Sequence, residues 1–310
     1  MSAAGGSQSW VELFPDEDYR FNFGIKPGDA AAFFVSTPDH ERLISERRRY
    51  LDSEPHRYAA LLPEGGPLLR EAIALARQWK TLPPNSPLDS EAGCETVLST
   101  DPLNRPAGTL SPSEGQRRTS ARVDCFPLCL ALGRAWESDF LLLKPAADGR
   151  FHLLGAVVCF PSSWRLTEKI GRPLDVIHAP VPGLEESLGR TIHSFLAKIR
   201  PGPAWCRSNW GISRSSELNY HPDLSQPRLT PPLRADEVFV RIENQALVAL
   251  PESGCVLFGI RLLILPLAEV RQSEPARRGL LRALRTMPEP VAEYKGVAAA
   301  RAEIMTMLAD

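Results

Sequence analysis

Two apolar runs separated by four turn-forming residues constrain this chain more than any other feature. Residues 238–250 and 255–265 are each long enough to cross a sheet, and Pro251, Glu252, Ser253 and Gly254 lie between them. Runs of this kind joined by a Pro- and Gly-containing turn predict an antiparallel hairpin. A second hairpin is predicted upstream from residues 140–144 and 151–160, with Pro145, Asp148 and Gly149 in between.

Helical patterns surround the hairpins. Pro67 suits a first helical turn, and Leu68, Ala72, Leu75, Ala76 and Trp79 then fall on one face. Leu184, Leu188, Ile192, Phe195, Leu196 and Ile199 follow the 3.6-residue period until Pro201, Gly202 and Pro203 stop it. Residues 39–52 read as an exposed helix, and two further helical stretches close the chain at about 276–286 and 291–308. Helices flanking antiparallel hairpins predict an α+β fold. Residues 1–20 read as a flexible tail and 21–310 as a single domain. Prolines break every regular pattern from residue 83 to about 122, so that segment reads as an inserted Pro-rich loop, and residues 211–236 as another.

Several function classes fall away. The formal net charge of -1 supplies no field for nucleic acid or an anionic membrane. No stretch reaches the roughly 18 apolar residues of a membrane helix, and the N-terminus lacks the pattern of a secretion signal, so a cytoplasmic protein is expected. No G-x-G-x-x-G follows a strand, and no P-loop, H-E-x-x-H or G-x-S-x-G is present. Any redox chemistry must therefore draw its electrons from another protein. Of the six cysteines only Cys125 and Cys129 are close, and without a matching second pair they read as small core residues, as do Cys159 and Cys255.

Four groups of residues remain as candidates. His178 stands between Ile177 and a Pro-rich turn, where a neutral imidazole serves as an axial haem ligand or is satisfied by backbone groups. Arg207, Asn209 and Trp210 follow. Trp210 walls an apolar pocket and Arg207 pairs with a haem propionate, or both belong to a capped loop. Arg241, Glu243 and Gln245 share one face of a strand, which either lines a ligand cavity or is half solvated. A carboxylate in such a cavity holds an ammonium substrate or handles its proton. Arg261 interrupts an apolar strand; it either pairs with Glu243 on the neighbouring hairpin strand or reaches solvent at an edge.

Taken in order, these segments resemble a known family. FGIKPGD at 23–29, CFPSSW, KIGRPLDVIHAPVPG, R-x-N-W at 207–210, R-x-E-x-Q at 241–245, LPESG, F-x-I-R at 258–261 and YKG at 294–296 are similar to the motifs of the haem-dependent oxidative N-demethylases, over about residues 20–296. The characterised activity of that family is that of a dimethylamine monooxygenase. The resemblance implies a PAS-like antiparallel sheet binding b-type haem, molecular oxygen as co-substrate, and a small N-methylated amine that loses formaldehyde. It implies electrons from NADPH through separate reductase subunits carrying flavin and iron–sulfur centres. It also implies His178 as axial iron ligand, Glu243 as the residue facing the amine, and Arg241 and Arg261 as pocket or propionate residues. The chain departs from the family in having Leu262 and Leu263 where an aromatic is favoured, and in its 83–122 insertion. A haem sensor without catalysis and a haem-free interaction protein are the alternative readings of the same scaffold.

Overall fold

The computed structural model describes residues 10–100 and 124–309. The fold is α+β, built on one seven-stranded antiparallel sheet. Its strands are β1 (Lys26–Gly28), β2 (Ala59–Leu61), β3 (Asp139–Pro145), β4 (Phe151–Val157), β5 (Ala204–Ser213), β6 (Phe239–Ala249) and β7 (Val256–Pro266). Across the sheet they run β1-β5-β6-β7-β3-β4-β2.

Both predicted hairpins form. In the β6–β7 turn, Leu250 N donates to Cys255 O at 2.8 Å, and Gly254 takes the left-handed φ of 64° that the turn requires. The β3–β4 turn uses Gly149 at φ 78° in the same way. The longest strand partnership beyond the hairpins was not expected. Residues 204–213 lie between two Pro-rich stretches and mix Arg, Ser and Asn with aromatics, yet they form β5, paired with β6 from Trp205↔Leu247 to Ser213↔Phe239. Tertiary pairing outweighs the weak local strand propensity of such a run.

Sheet parity sorts the core. On one face, Phe140, Leu142, Leu257, Val248 and Ala246 pack under the helices Gly66–Trp79 and Phe126–Ala135, while Val238, Val240 and Ile242 pack under the C-terminal helices. On the other, Leu141, Leu143, Leu153, Leu247 and Phe258 meet the crossover from β4 to β5, which carries the helices Leu174–His178 and Arg190–Lys198.

The helices depart from expectation in instructive places. His40–Ser53 is not simply exposed: Arg47 is 0% accessible and its Nη1 lies 2.6 Å from Asp139 Oδ1. The stretch at 184–199 begins as a π-helix, Glu185–Gly189, before the α-helix Arg190–Lys198. The last predicted helix divides into Glu289–Tyr294 and Arg301–Ala309 around Gly296, whose φ is 68°. Within the 83–122 insertion, Glu91–Thr100 is a helix that buries Cys94 and Leu98, and residues 101–122 lie outside the described residues. At the N-terminus residues 1–9 lie outside them too, whereas Phe14 in the expected tail is buried against the helix Glu274–Thr286 and Asp16 and Asp18 pair with Arg278 and Arg282. None of the described helices is long and apolar enough to cross a membrane.

Candidate functional site

Strand register decides which candidates meet. Because side chains directly opposite in antiparallel strands share a face, β5, β6 and β7 carry four rows on the side that meets the crossover. These are Trp205–Leu247–Phe258, Arg207–Gln245–Ile260, Asn209–Glu243–Leu262 and Gly211–Arg241–Ile264. The first row is apolar and packs on Phe195, whose ring centroid lies 5.5 Å from that of Trp205 and 5.3 Å from that of Phe23. The next three carry polar side chains on β5 or β6, with Arg241 buried, Asn209 exposed and the others half-buried. Arg241, Glu243 and Gln245 thus share one face, as the alternation within β6 predicted, and the β5 pairing adds Arg207 to it.

Trp210 and Arg261 do not belong to it. Both sit one residue out of phase. Trp210 packs in the C-terminal core, 5.6 Å from the Phe14 ring and 6.4 Å from that of Tyr19. Arg261 lies opposite Asn244, not Glu243, and points to the other side of the sheet. There its Nη2 donates to Val35 O at 2.8 Å and lies 3.6 Å from Glu137 Oε2, with Phe33 beneath the guanidinium at 5.6 Å. The expected pairing of Arg261 with Glu243 is therefore replaced by Glu137.

His178 ends the helix Leu174–His178, which Leu174 and Ile177 fix onto the apolar end of the same sheet face. Its carbonyl accepts from Val181 N at 2.8 Å, which turns the chain immediately after the ring. Burial pushes the His178 pKa down to about 4, helped by the charges of Lys169, Arg207 and His193 and opposed by Asp175. The imidazole is therefore neutral at physiological pH. Its ring nitrogens make no hydrogen bond among the described residues.

The polar residues are unevenly satisfied. Arg207 donates only from Nη2, to Asn22 O at 3.4 Å, and its Nε is buried with no partner among the described residues. Burial lowers its pKa and Glu243 opposes that shift. Arg241 is pinned: Nη1 and Nη2 donate to Glu217 O and Leu218 O at 2.6 and 2.9 Å, and the Tyr220 ring lies 4.5 Å from the guanidinium carbon. Glu243 Oε2 accepts from Gln245 Nε2 at 3.1 Å, and Glu243 is in no ion pair among the described residues.

One residue near Glu243 was not singled out as a candidate. Lys295 donates to Trp210 O at 2.7 Å and sits 5.2 Å from the Trp210 ring centroid. Burial pushes its pKa down to about 8, Glu243 opposing and Arg207 adding to the shift. Only the short YKG motif marked it in the sequence, since nothing local ties residue 295 to a strand 85 positions earlier. Two open clefts of about 340 and 410 Å³ flank the helix Arg190–Lys198 and share Phe195 and Lys198; neither includes His178 or Glu243.

A family model described as haem-dependent oxidative N-demethylase, alpha subunit-like, matches residues 24–305. The chain belongs to this family. The match spans both faces of the sheet, the whole crossover with His178 and the helix that ends beside Lys295.

The donor set suits the group named in that description. Among the described residues no cluster of three or more His, Cys, Asp or Glu is arranged to hold a bare metal ion. A haem iron asks for a single axial side chain, an apolar surface for the macrocycle and a donor for its carboxylates. The neutral, unbonded imidazole of His178, the half-buried row of Trp205, Leu247 and Phe258, and the orphaned Nε of Arg207 fit those three demands.

Proposed function

We propose that this chain is the haem-carrying oxygenase subunit of an oxidative N-demethylase acting on a small N-methylated amine. The observation that carries the reading is His178: a half-buried imidazole held neutral, free of hydrogen bonds among the described residues, on a helix packed against the sheet face of Arg207 and Glu243. In this reading His178 would hold the iron of a b-type haem and Arg207 one of its carboxylates. Trp205, Leu247, Phe258 and Ile260 would keep water from the macrocycle. Bound haem supplies the activation of molecular oxygen. The N-methyl carbon leaves as formaldehyde, one oxygen atom going to it and the other to water, with two electrons and two protons delivered to the site. In this reading those electrons come from NADPH through separate reductase subunits bearing flavin and iron–sulfur centres; the alpha-subunit description of the family supports the presence of further subunits.

Glu243 faces the protonated amine. Its carboxylate is oriented by Gln245 and engaged by no cation, so it has acceptor capacity left for an ammonium N–H. Arg241 acts at one remove, tying the 217–218 backbone to the sheet beside Glu243. A PAS-like scaffold is supported by topology. The central five strands comprise the hairpin β3–β4, a crossover to the far edge and the three-stranded return β5–β6–β7 that closes onto β3. That crossover carries His178.

The test is an ultraviolet–visible titration of protein made in haem-supplemented cells, before and after reduction, with carbon monoxide and then an amine. One Soret-absorbing haem per chain, lost in His178→Ala and shifted by the amine, is the expected result. Stoichiometric haem in His178→Ala rejects the ligand assignment, and a Soret band indifferent to every amine tested rejects the oxygenase reading.

A further inference from the structure

The polar end of the site holds more positive charge than the proposed reaction with a simple alkylamine uses. Arg207, Arg241 and Lys295 all feel the charge of Glu243, and none forms an ion pair with it. Strand register puts Arg207 and Arg241 in the rows on either side of Glu243, and Lys295 reaches the carbonyl of Trp210, the neighbour of Asn209 opposite Glu243. An alkylammonium ion that reaches Glu243 there meets its carboxylate but is repelled by these neighbours. A ligand bearing both an ammonium and a carboxylate group satisfies both sides.

The three cations are not equivalent. Arg241 places both of its terminal nitrogens on backbone carbonyls, and only its buried Nε lacks a partner among the described residues. Arg207 lies in the row next to the apolar row of Trp205, Leu247 and Phe258, on the side given to the haem. Lys295 has its ammonium held at the carbonyl of Trp210, three residues along β5 from Arg207. Trp210 stands between Asn209, opposite Glu243, and Gly211, opposite Arg241. Lys295 has donors to spare, since an ammonium has three N–H groups and a single one is placed. Space is open one residue along from the Trp210 carbonyl: a side chain built at Gly211, on the Glu243 face, would meet no atom within 4 Å.

We propose that the substrate is an N-methylated amino acid, its ammonium on Glu243 and its carboxylate on Lys295. This rests on the reading of Glu243 given above and narrows the amine to a zwitterion. Lys295 becomes the residue that separates carboxylated amines from alkylamines, by a charge-assisted contact that only the former can make.

The experiment compares N,N-dimethylglycine, its methyl ester and dimethylamine on the full-length protein, by Soret difference spectra and by titration calorimetry. N,N-dimethylglycine is expected to bind at least about tenfold more tightly than the other two. Lys295→Met should close that gap, and Lys295→Arg should keep most of it. Equal or tighter binding of dimethylamine overturns the proposal, as does a preference that survives Lys295→Met. The ester comparison needs no variant and decides the matter if Lys295→Met does not fold. Calorimetry reads the preference with or without haem. Missing haem therefore counts against the oxygenase reading alone, and missing preference against the zwitterion alone.

Discussion

Arg261 and Glu137 meet across the face of the sheet opposite the candidate site, Nη2 lying 3.6 Å from Oε2. Glu137 is 1% exposed and also accepts from Thr37 N at 2.6 Å and Thr37 Oγ1 at 2.9 Å, with His40 Nδ1 at 2.9 Å. The cluster ties the start of the helix His40–Ser53 to β7. Replacing Arg261 by Ala should lower stability by about 1–3 kcal/mol, and Glu137→Ala by about 3–5 kcal/mol, because each strips partners from a buried charge. Haem stoichiometry should be unchanged in Arg261→Ala. Chemical denaturation together with a haem titration checks both halves; a variant that folds normally but loses haem would return Arg261 to the site.

His178 gives a pH signature that does not depend on haem. Its ordinary value is 6.5 and the folded value is about 4. Between those values the unfolded chain binds a proton that the folded chain does not, so stability falls as pH drops from 6.5 towards 4 and is level above. His221, also lowered by burial, adds to the slope. The measurement is therefore the difference in melting temperature against pH between the wild type and His178→Phe. The variant should lose part of the slope in that window, and parallel curves would show that His178 is not held neutral.

Glu243→Gln should retain haem but weaken binding of the amine by about 1.5–3 kcal/mol, roughly ten- to a hundredfold, the cost of removing a charged hydrogen-bond partner. Gln245→Leu should produce a smaller loss, since it removes only the hydrogen bond that orients the carboxylate. Difference spectra with increasing amine separate these outcomes, and unchanged affinity in Glu243→Gln removes that residue from the site.

Gly279 packs the helix Glu274–Thr286 so closely on the N-terminal segment that a Cβ there would fall on the Phe14 carbonyl oxygen. An exposed Gly-to-Ala change in a helix gains up to about 1 kcal/mol. Here the steric conflict outweighs it, and Gly279→Ala should cost about 1–3 kcal/mol. Limited proteolysis should then cut within residues 10–20 faster than in the wild type; an unchanged cleavage rate would mean that the segment accommodates the methyl group.

What the sequence determined by itself is local. Apolar runs with Gly-containing turns specified both hairpins, and the 3.6-residue period located the helices Gly66–Trp79, Arg190–Lys198 and Glu274–Thr286, because side-chain direction follows from each element's own geometry. Within β6 the same rule put Arg241, Glu243 and Gln245 on one face. The ordered motifs were enough to reveal the family. Only the tertiary structure decided which strands are neighbours and in what register. β5 was hidden, since its residues become a strand through pairing with β6 rather than through their own propensity. Register then separated Arg261 from Glu243, for a shift of one residue exchanges the faces of a sheet, and alternation along the hidden strand put Trp210 and Arg207 on opposite faces. It also brought Lys295, remote in the chain, to the carbonyl of Trp210 beside Glu243, a contact no local pattern encodes.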